Sequence, residues 1–433
     1  MTFNKQLLHN IVFRGVYYTT IFLLNIVIAR SYEAEQSGWI NFISNNFALV
    51  LLFGSLSLDI SILYFGASKK IDTSKLAFFA MLWSIFVCVA FYFTVSFFIS
   101  KSQFILSKGL LKFAAVNYFG GIIVTNFFFN LFIIKEEFLI PNILLSILNL
   151  MLIIFIPDIL FHCTLFDKET YLYYYYLSFS LQGLILVIAY FVYAKKLVMK
   201  LPNWIELKAL FKYASIAFVA NLVFFMVYRI DYWFIHSYRS SAAELGNYIQ
   251  ASKLGQMLLV FSMIISSTVF PQTASGQTIV VIEKLLKIIR NFLVLFALLL
   301  LSLLLVGQHI MTFVFGHTFN QMYWPFIYLL PGIFSLSVLT IISAYFGGIN
   351  KTFVNVKSAL VGLVLITILD ILFIPKYGII AAAIVSSVGY FFAMLYAIYC
   401  FQKEHPFSAH HLLVIKKTDF AWFTKAYKTA LRK

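Results

Sequence analysis

The stretch VYRIDYWFIHSY, residues 227–238, sets an arginine and an aspartate two positions apart in an otherwise apolar, helix-like run. What surrounds that run decides the fold, and composition identifies it. Of 433 residues, 62% are hydrophobic, 19% aromatic and only 11% charged, with a mean hydropathy of +0.93. That is too little polar surface to cover a water-soluble globule of this length, so the chain reads as an all-α integral membrane protein. Apolar runs of roughly 17–25 residues, enough to cross a hydrocarbon core, recur throughout. They fall near 11–29, 39–65, 76–99, 111–134, 138–160, 171–194, 210–236, 246–271, 285–306, 323–347, 355–374 and 379–401. Twelve helices are expected, because the runs lack the short period-two alternation of barrel strands.

The first run has no clear small-residue cleavage site and another follows at once, so it is kept as a helix rather than a secretion signal. Cys88, Cys163 and Cys400 lie in separate segments and imply neither a disulfide framework nor a metal site. With a cytoplasmic N-terminus, 23 of the 32 Lys and Arg residues fall on the inner side and 7 on the outer, leaving Arg229 and Lys253 at membrane depth. The positive-inside rule then places both termini in the cytoplasm. The net charge of +16 is accounted for by this asymmetry and by attraction to anionic lipid head groups, without a nucleic-acid partner.

A long basic connection, AKKLVMKLPNWIELKALFK (194–212), divides the runs into two sets of six. The expected organisation is an N-terminal bundle over 1–194, a linker over 195–212, a C-terminal bundle over 213–402 and a basic tail over 403–433. EQSGWINFIS (35–44) and AELGNYIQAS (243–252) align Gly38 with Gly246 in segments read in one direction. That implies a parallel repeat about an axis along the membrane normal, with chance similarity of turn residues as the alternative. In the tail, Phe420, Phe423, Tyr427 and Leu431 fall near one stripe, which suits an interfacial helix; a disordered basic tail is the other reading. The tyrosine run YLYYYYLS (171–178) reads as an interfacial aromatic belt.

Ionisable groups at membrane depth cost roughly 2.5–3.5 kcal/mol each on insertion scales, so they face a bundle interior or a wet cavity. At about 100° per residue, Arg229, Tyr232 and His236 share a face, while Asp231 points roughly 200° away and toward a neighbouring helix. Lys253 shares a face with Ser252 and Gln256, and Arg14 and Asn45 lie on polar stripes of the first two segments. The lumen set is therefore Arg229, Lys253, Arg14, Tyr232, Gln256 and Asn45. Asp59, Asp231 and Asp370 are the carboxylates at depth and the candidates for binding a coupling ion. The plainer readings are that Arg14 snorkels to the interface, that Lys253 neutralises Asp231, and that Asp59 and Asp370 pack helix ends. No phosphate-binding loop, catalytic triad or metal-site spacing occurs, so a transporter is expected rather than an enzyme, with no cofactor.

YRIDYWFIHSYRSSAAELGNYIQASKLGQMLLVFSMIISSTVFPQTA (228–274) resembles the seventh and eighth helices of polysaccharide flippases, with Arg229, Asp231, Gly246, Tyr248 and Pro271 at the pattern positions. ILFIPKYGIIAAAIVSSVGY (371–390) is similar to the family's segment joining helices eleven and twelve, departing only at Ala381, where glycine is commoner. IARSYEAEQSGWINFISN (28–45) resembles its first interhelical segment. The resemblance covers most of 10–400 and marks the superfamily of multidrug, oligosaccharidyl-lipid and polysaccharide exporters. It implies two six-helix bundles forming a V and alternating access. The implied cargo is an undecaprenyl-diphosphate-linked, O-antigen-type oligosaccharide, moved from the inner to the outer leaflet of a bacterial plasma membrane by a monomer that serves a polymerase and chain-length machinery. The rivals are a multidrug antiporter of the same superfamily, which should hold an acidic cavity, and a membrane saccharide polymerase or ligase, which should carry a large catalytic outer loop.

Overall fold

The computed structural model describes residues 3–99, 108–155, 168–194, 199–238, 241–274, 278–349 and 351–404; the expected tail helix lies almost wholly outside them. The elements are α1 (Phe3–Ser55), α2 (Leu58–Ala67), α3 (Thr73–Ile99), α4 (Lys108–Ile134), α5 (Leu139–Ile154), α6 (Lys168–Ala194), α7 (Trp204–Tyr238), α8 (Ala242–Ala274), α9 (Thr278–Phe315), a short 3-10 turn (His317–Phe319), α10 (Tyr323–Gly348) and α11 (Phe353–Glu404). Among the described residues eight helices are long and apolar enough to cross a membrane. α8 is 33 residues long but carries Asn247, Gln250, Ser252, Lys253 and Gln256, and falls short of that apolarity. Side chains such as Phe313 and Leu305, 80% and 77% exposed, belong against lipid tails; in water such surface would drive association.

Several expected boundaries fall inside continuous helices. Segments one and two are joined in α1, which breaks at Glu33 (φ 58°, ψ −179°), a left-handed value that only surrounding structure can impose on a glutamate. Segment two is interrupted at Leu56 and Ser57, both at positive φ, and resumes as α2. Ser57 is held there by Asn221, whose Nδ2 donates to its Oγ at 2.9 Å. Segments eleven and twelve are joined in α11, which breaks at Gly378 (φ 61°), three residues after Pro375. Proline removes a helical donor and glycine accepts the left-handed turn. The two arms of α11 pack on each other through Gly362 and Gly389, where an added Cβ at Gly389 would lie 2.3 Å from Ile366.

The chain forms two compact units, residues 1–33 with 40–222 and residues 34–39 with 223–433. The division falls within α7 and not in the basic connection, because the first part of α7, with Leu210 and Ala214, belongs to the unit 1 core. Ser61 fixes it by donating to the Leu210 carbonyl at 2.8 Å. Asn203 and Glu206 start α7 with a reciprocal cap, 2.8 and 2.7 Å. In unit 1, α4 and α6 meet closely at Gly121, where a Cβ would sit 2.2 Å from the Phe179 carbonyl oxygen, the small-residue packing that membrane helices use. Tyr171 and Tyr176 are buried in that unit, with the Tyr171 hydroxyl donating to the Leu152 carbonyl at 3.2 Å. The tyrosine run is thus divided, with Tyr171 and Tyr176 in the core and Tyr174 45% exposed; for Tyr171 the hydrogen bond offsets the cost of burying the phenol. In unit 2, Gly38 and Gly246, the glycines the repeat aligns, touch one another: a Cβ on Gly38 would lie 2.7 Å from the Gly246 Cα.

Candidate functional site

Two polar clusters are built on α7 within unit 2, on different faces of one helical turn. The first is cationic. Arg229 is half-buried, its guanidinium 5.1 Å from the ring centroid of Phe225, one turn earlier. Lys253, half-buried on α8, is close enough to Arg229 for the two charges to repel. Tyr232, one turn along α7 from Arg229, is 2% exposed, and its phenol meets Ser252 and Gln256 on α8. Gln256 Nε2 in turn donates to Ser252 Oγ at 3.1 Å. Like charges held together in a medium of low dielectric repel strongly, and an anion placed between them removes that cost. The planar fork of Arg and the point charge of Lys both suit phosphate oxygens.

The second cluster is acidic and enclosed. Asp231 is 1% exposed. Its Oδ2 accepts a hydrogen bond from the Tyr248 hydroxyl on α8 and another from Ser386 Oγ on the second arm of α11 at 3.0 Å. Its Oδ1 accepts from the Tyr232 backbone N–H at 2.9 Å. Tyr390 closes the cluster, donating to the Val227 carbonyl at 3.3 Å. Asp370, on the first arm of α11, is 0% exposed, and neither of its carboxylate oxygens has a hydrogen-bond partner among the described residues. It is near enough to Asp231 for the two carboxylates to repel. A buried carboxylate without partners is expensive unless it holds a proton or a cation. The two carboxylates and the surrounding hydroxyls are an all-oxygen set of the kind a hard cation takes.

Four of the six lumen candidates, Arg229, Tyr232, Lys253 and Gln256, thus assemble in unit 2. Arg14 and Asn45 belong to unit 1, where Arg14 is exposed and sits over the Phe129 ring at 5.8 Å and Asn45 is 2% exposed. Of the three carboxylates, Asp231 and Asp370 come together. Asp59 is half-buried at the start of α2 in unit 1, and its backbone carbonyl accepts from Asn130 at 3.1 Å. Ser386 and Tyr390 escape the sequence reading: they lie 155 and 159 positions from Asp231, and a serine or tyrosine in an apolar helix carries no local mark. Tyr248 is recognised there as a motif position, without a role.

No protein-family model matches the chain. Its fold is similar to that of the lipid II flippase MurJ in an inward-closed conformation, with a TM-score of 0.69 at 16% identity over 97% of this chain and 93% of that one. It is likewise similar to a multidrug resistance MATE family transporter of the MOP superfamily in an outward-facing conformation, with a TM-score of 0.68 at 13% identity over 92% and 95% of the two chains. In sequence it is similar to the probable low-salt glycan biosynthesis flippase Agl15 of Haloferax volcanii, 22% identical over 248 residues. That match covers 56% of this chain, and the chain spans about half, 51%, of the curated relative's length. The class is thereby defined: an all-helical, multi-pass membrane protein with the exporter fold shared by lipid flippases and multidrug transporters. That fold is the one implied by the exporter-superfamily resemblance of the sequence motifs.

Proposed function

We propose that the chain is a flippase that moves a lipid-linked saccharide across a membrane, with Arg229 and Lys253 binding the anionic linkage of the cargo. The pairing of these two cations on α7 and α8, seamed by Tyr232 and Gln256, carries the reading. An undecaprenyl diphosphate linkage presents the phosphate oxygens this pair suits, and an O-antigen-type oligosaccharide in a bacterial plasma membrane is the cargo we assign. The relative's name as a glycan biosynthesis flippase supports the class. Asp231 and Asp370 are assigned to a small coupling cation. At 1% and 0% exposure they are too enclosed for a drug-sized cation, which weighs against the multidrug reading. The protein works as a monomer among membrane lipids, with both termini cytoplasmic, and delivers to a separate polymerase and chain-length machinery.

Depletion of the protein, followed by mass spectrometry of the lipid fraction, should reveal one accumulating lipid-linked saccharide; no accumulation would sink the flippase assignment. In the purified protein, cargo affinity should fall in the order Arg229, Arg229→Lys, Arg229→Gln. Loss of a charge-assisted hydrogen-bond pair, about 1.5–3 kcal/mol, makes the Gln variant roughly 10–100-fold weaker. An Arg229→Gln protein that inserts and binds normally would remove Arg229 from the site.

A further inference from the structure

Unit 2 also holds a cleft of about 450 Å³ where the start of α10 meets the turn of α11 at Gly378, lined by Glu244, Gln308, Asn320, Gln321, Trp324 and Tyr377. Its size is that of a small-molecule site, roughly 300–1,000 Å³. No lysine or arginine is among the residues lining it, so it does not suit the diphosphate assigned to Arg229 and Lys253. Three carboxamides and one carboxylate supply both donors and acceptors, matching hydroxyls, which also donate and accept. Trp324 and Tyr377 are 49% and 65% exposed. An aromatic face carries negative charge density and attracts the slightly positive C–H bonds on the flat face of a pyranose. Interfacial anchoring alone would explain the two rings but not the polar groups converging with them.

The walls are fixed before any ligand arrives. Gly316 turns the chain at φ 97°. The turn after it is pinned by Asn247 Nδ2 donating to the Thr318 carbonyl at 3.1 Å and by the Ala34 N–H donating to Thr318 Oγ at 3.2 Å. Phe319 and Met322, at 1% and 0% exposure, anchor the segment that presents Asn320 and Gln321. The Tyr323 hydroxyl ties the start of α10 to α9 through the Leu303 carbonyl at 3.2 Å. Trp324 stacks on Tyr328, centroids 6.0 Å apart. Such pre-organisation lowers the ordering cost of binding.

We propose that this cleft is a carbohydrate subsite that takes a neutral pyranose, with Trp324 and Tyr377 as platforms and Glu244, Gln308, Asn320 and Gln321 as hydroxyl partners. As a subsite for the cargo it rests on the flippase reading; as a sugar site it stands alone. The test is saturation-transfer-difference NMR on the full-length protein in nanodiscs, with the methyl glycosides of glucose, galactose, mannose and N-acetylglucosamine, and with glucuronate as the anionic counterpart. At least one neutral glycoside should receive saturation at its ring protons, more strongly than glucuronate does. Trp324→Ala and Gln321→Ala should each weaken binding about three- to tenfold, while Trp324→Phe, which keeps a platform and controls for folding, retains most of it. The proposal is overturned if no neutral glycoside binds, if glucuronate binds best, or if both alanine variants bind as the parent does. Sugar binding without accumulation of a lipid-linked saccharide on depletion would sink the flippase reading and leave the cleft standing. Accumulation without sugar binding would do the reverse.

Discussion

Replacing Gly246 with alanine should damage unit 2 more than any other single methyl group added to a described glycine. The Cβ would sit 1.9 Å from the Ala34 carbonyl oxygen, a backbone atom, with the Gly38 Cα at 3.1 Å behind it. Restoring ordinary contact needs a separation of about 1.5 Å between the start of α8 and residues 34–39, and overpacking of this kind typically costs about 1–3 kcal/mol. For a unit of this size each kcal/mol lowers the melting midpoint by about 2–4 °C, so the expected drop is about 2–12 °C. Tyr248 stands two residues along α8 and donates to Asp231, so the displacement should also weaken the acidic cluster. Size-exclusion profiles of heated, detergent-solubilised protein measure the first effect, and ion-dependent transport measures the second. Gly15→Ala and Gly109→Ala are the controls: nothing lies within 4 Å of either Cβ, and alanine favours a helix over glycine by about 1 kcal/mol. A Gly246→Ala protein that melts with the parent and transports normally would refute the close-packing argument.

Asp370→Asn should abolish the ion dependence of transport while leaving the protein inserted, since the amide keeps the shape and removes the charge that repels Asp231. Unchanged ion dependence in both Asp370→Asn and Asp231→Asn would move coupling elsewhere. In a variant lacking Cys88, Cys163 and Cys400, single cysteines at Lys108 and Ser240 should label from outside intact cells, and those at Ser68 and Lys200 only after permeabilisation. Reversed labelling at either pair would invert the assigned orientation.

Much of the architecture is legible because a bilayer forces it: every span must be apolar and satisfy its own backbone, so hydropathy marks the helices. Helical phase likewise separates Arg229 from Asp231, since that depends only on residue spacing. Glu33 is different. Glutamate is a good helix former, and nothing local announces that α1 breaks there. Its left-handed backbone goes with tertiary contacts on the next residue, whose N–H donates to Thr318, 284 positions away. Burial of Tyr171 and Tyr176 is equally non-local, because the residues of the run do not say which face of α6 a neighbouring helix covers. The same holds for Ser386, whose partner Asp231 lies on another helix. The division within α7 depends on what packs around its first part and leaves no mark in the hydropathy of a continuous run.

Arg229 and Asp231 stand two positions apart on one unbroken helix, a rise of about 3 Å, and they face different clusters. A tilt or rotation of that turn would displace both side chains, so under the proposed assignment occupancy of one cluster would bias the geometry of the other. Thermodynamic reciprocity then fixes a quantitative relation. Whatever factor cation occupancy at Asp231 and Asp370 imposes on anion affinity at Arg229 and Lys253, anion occupancy must impose on cation affinity. Titrating anion affinity against cation concentration, and cation affinity against anion concentration, must return the same coupling constant. A substitution made in α7 outside both clusters that abolishes the coupling yet leaves both intrinsic affinities intact would locate the transmission in α7 itself.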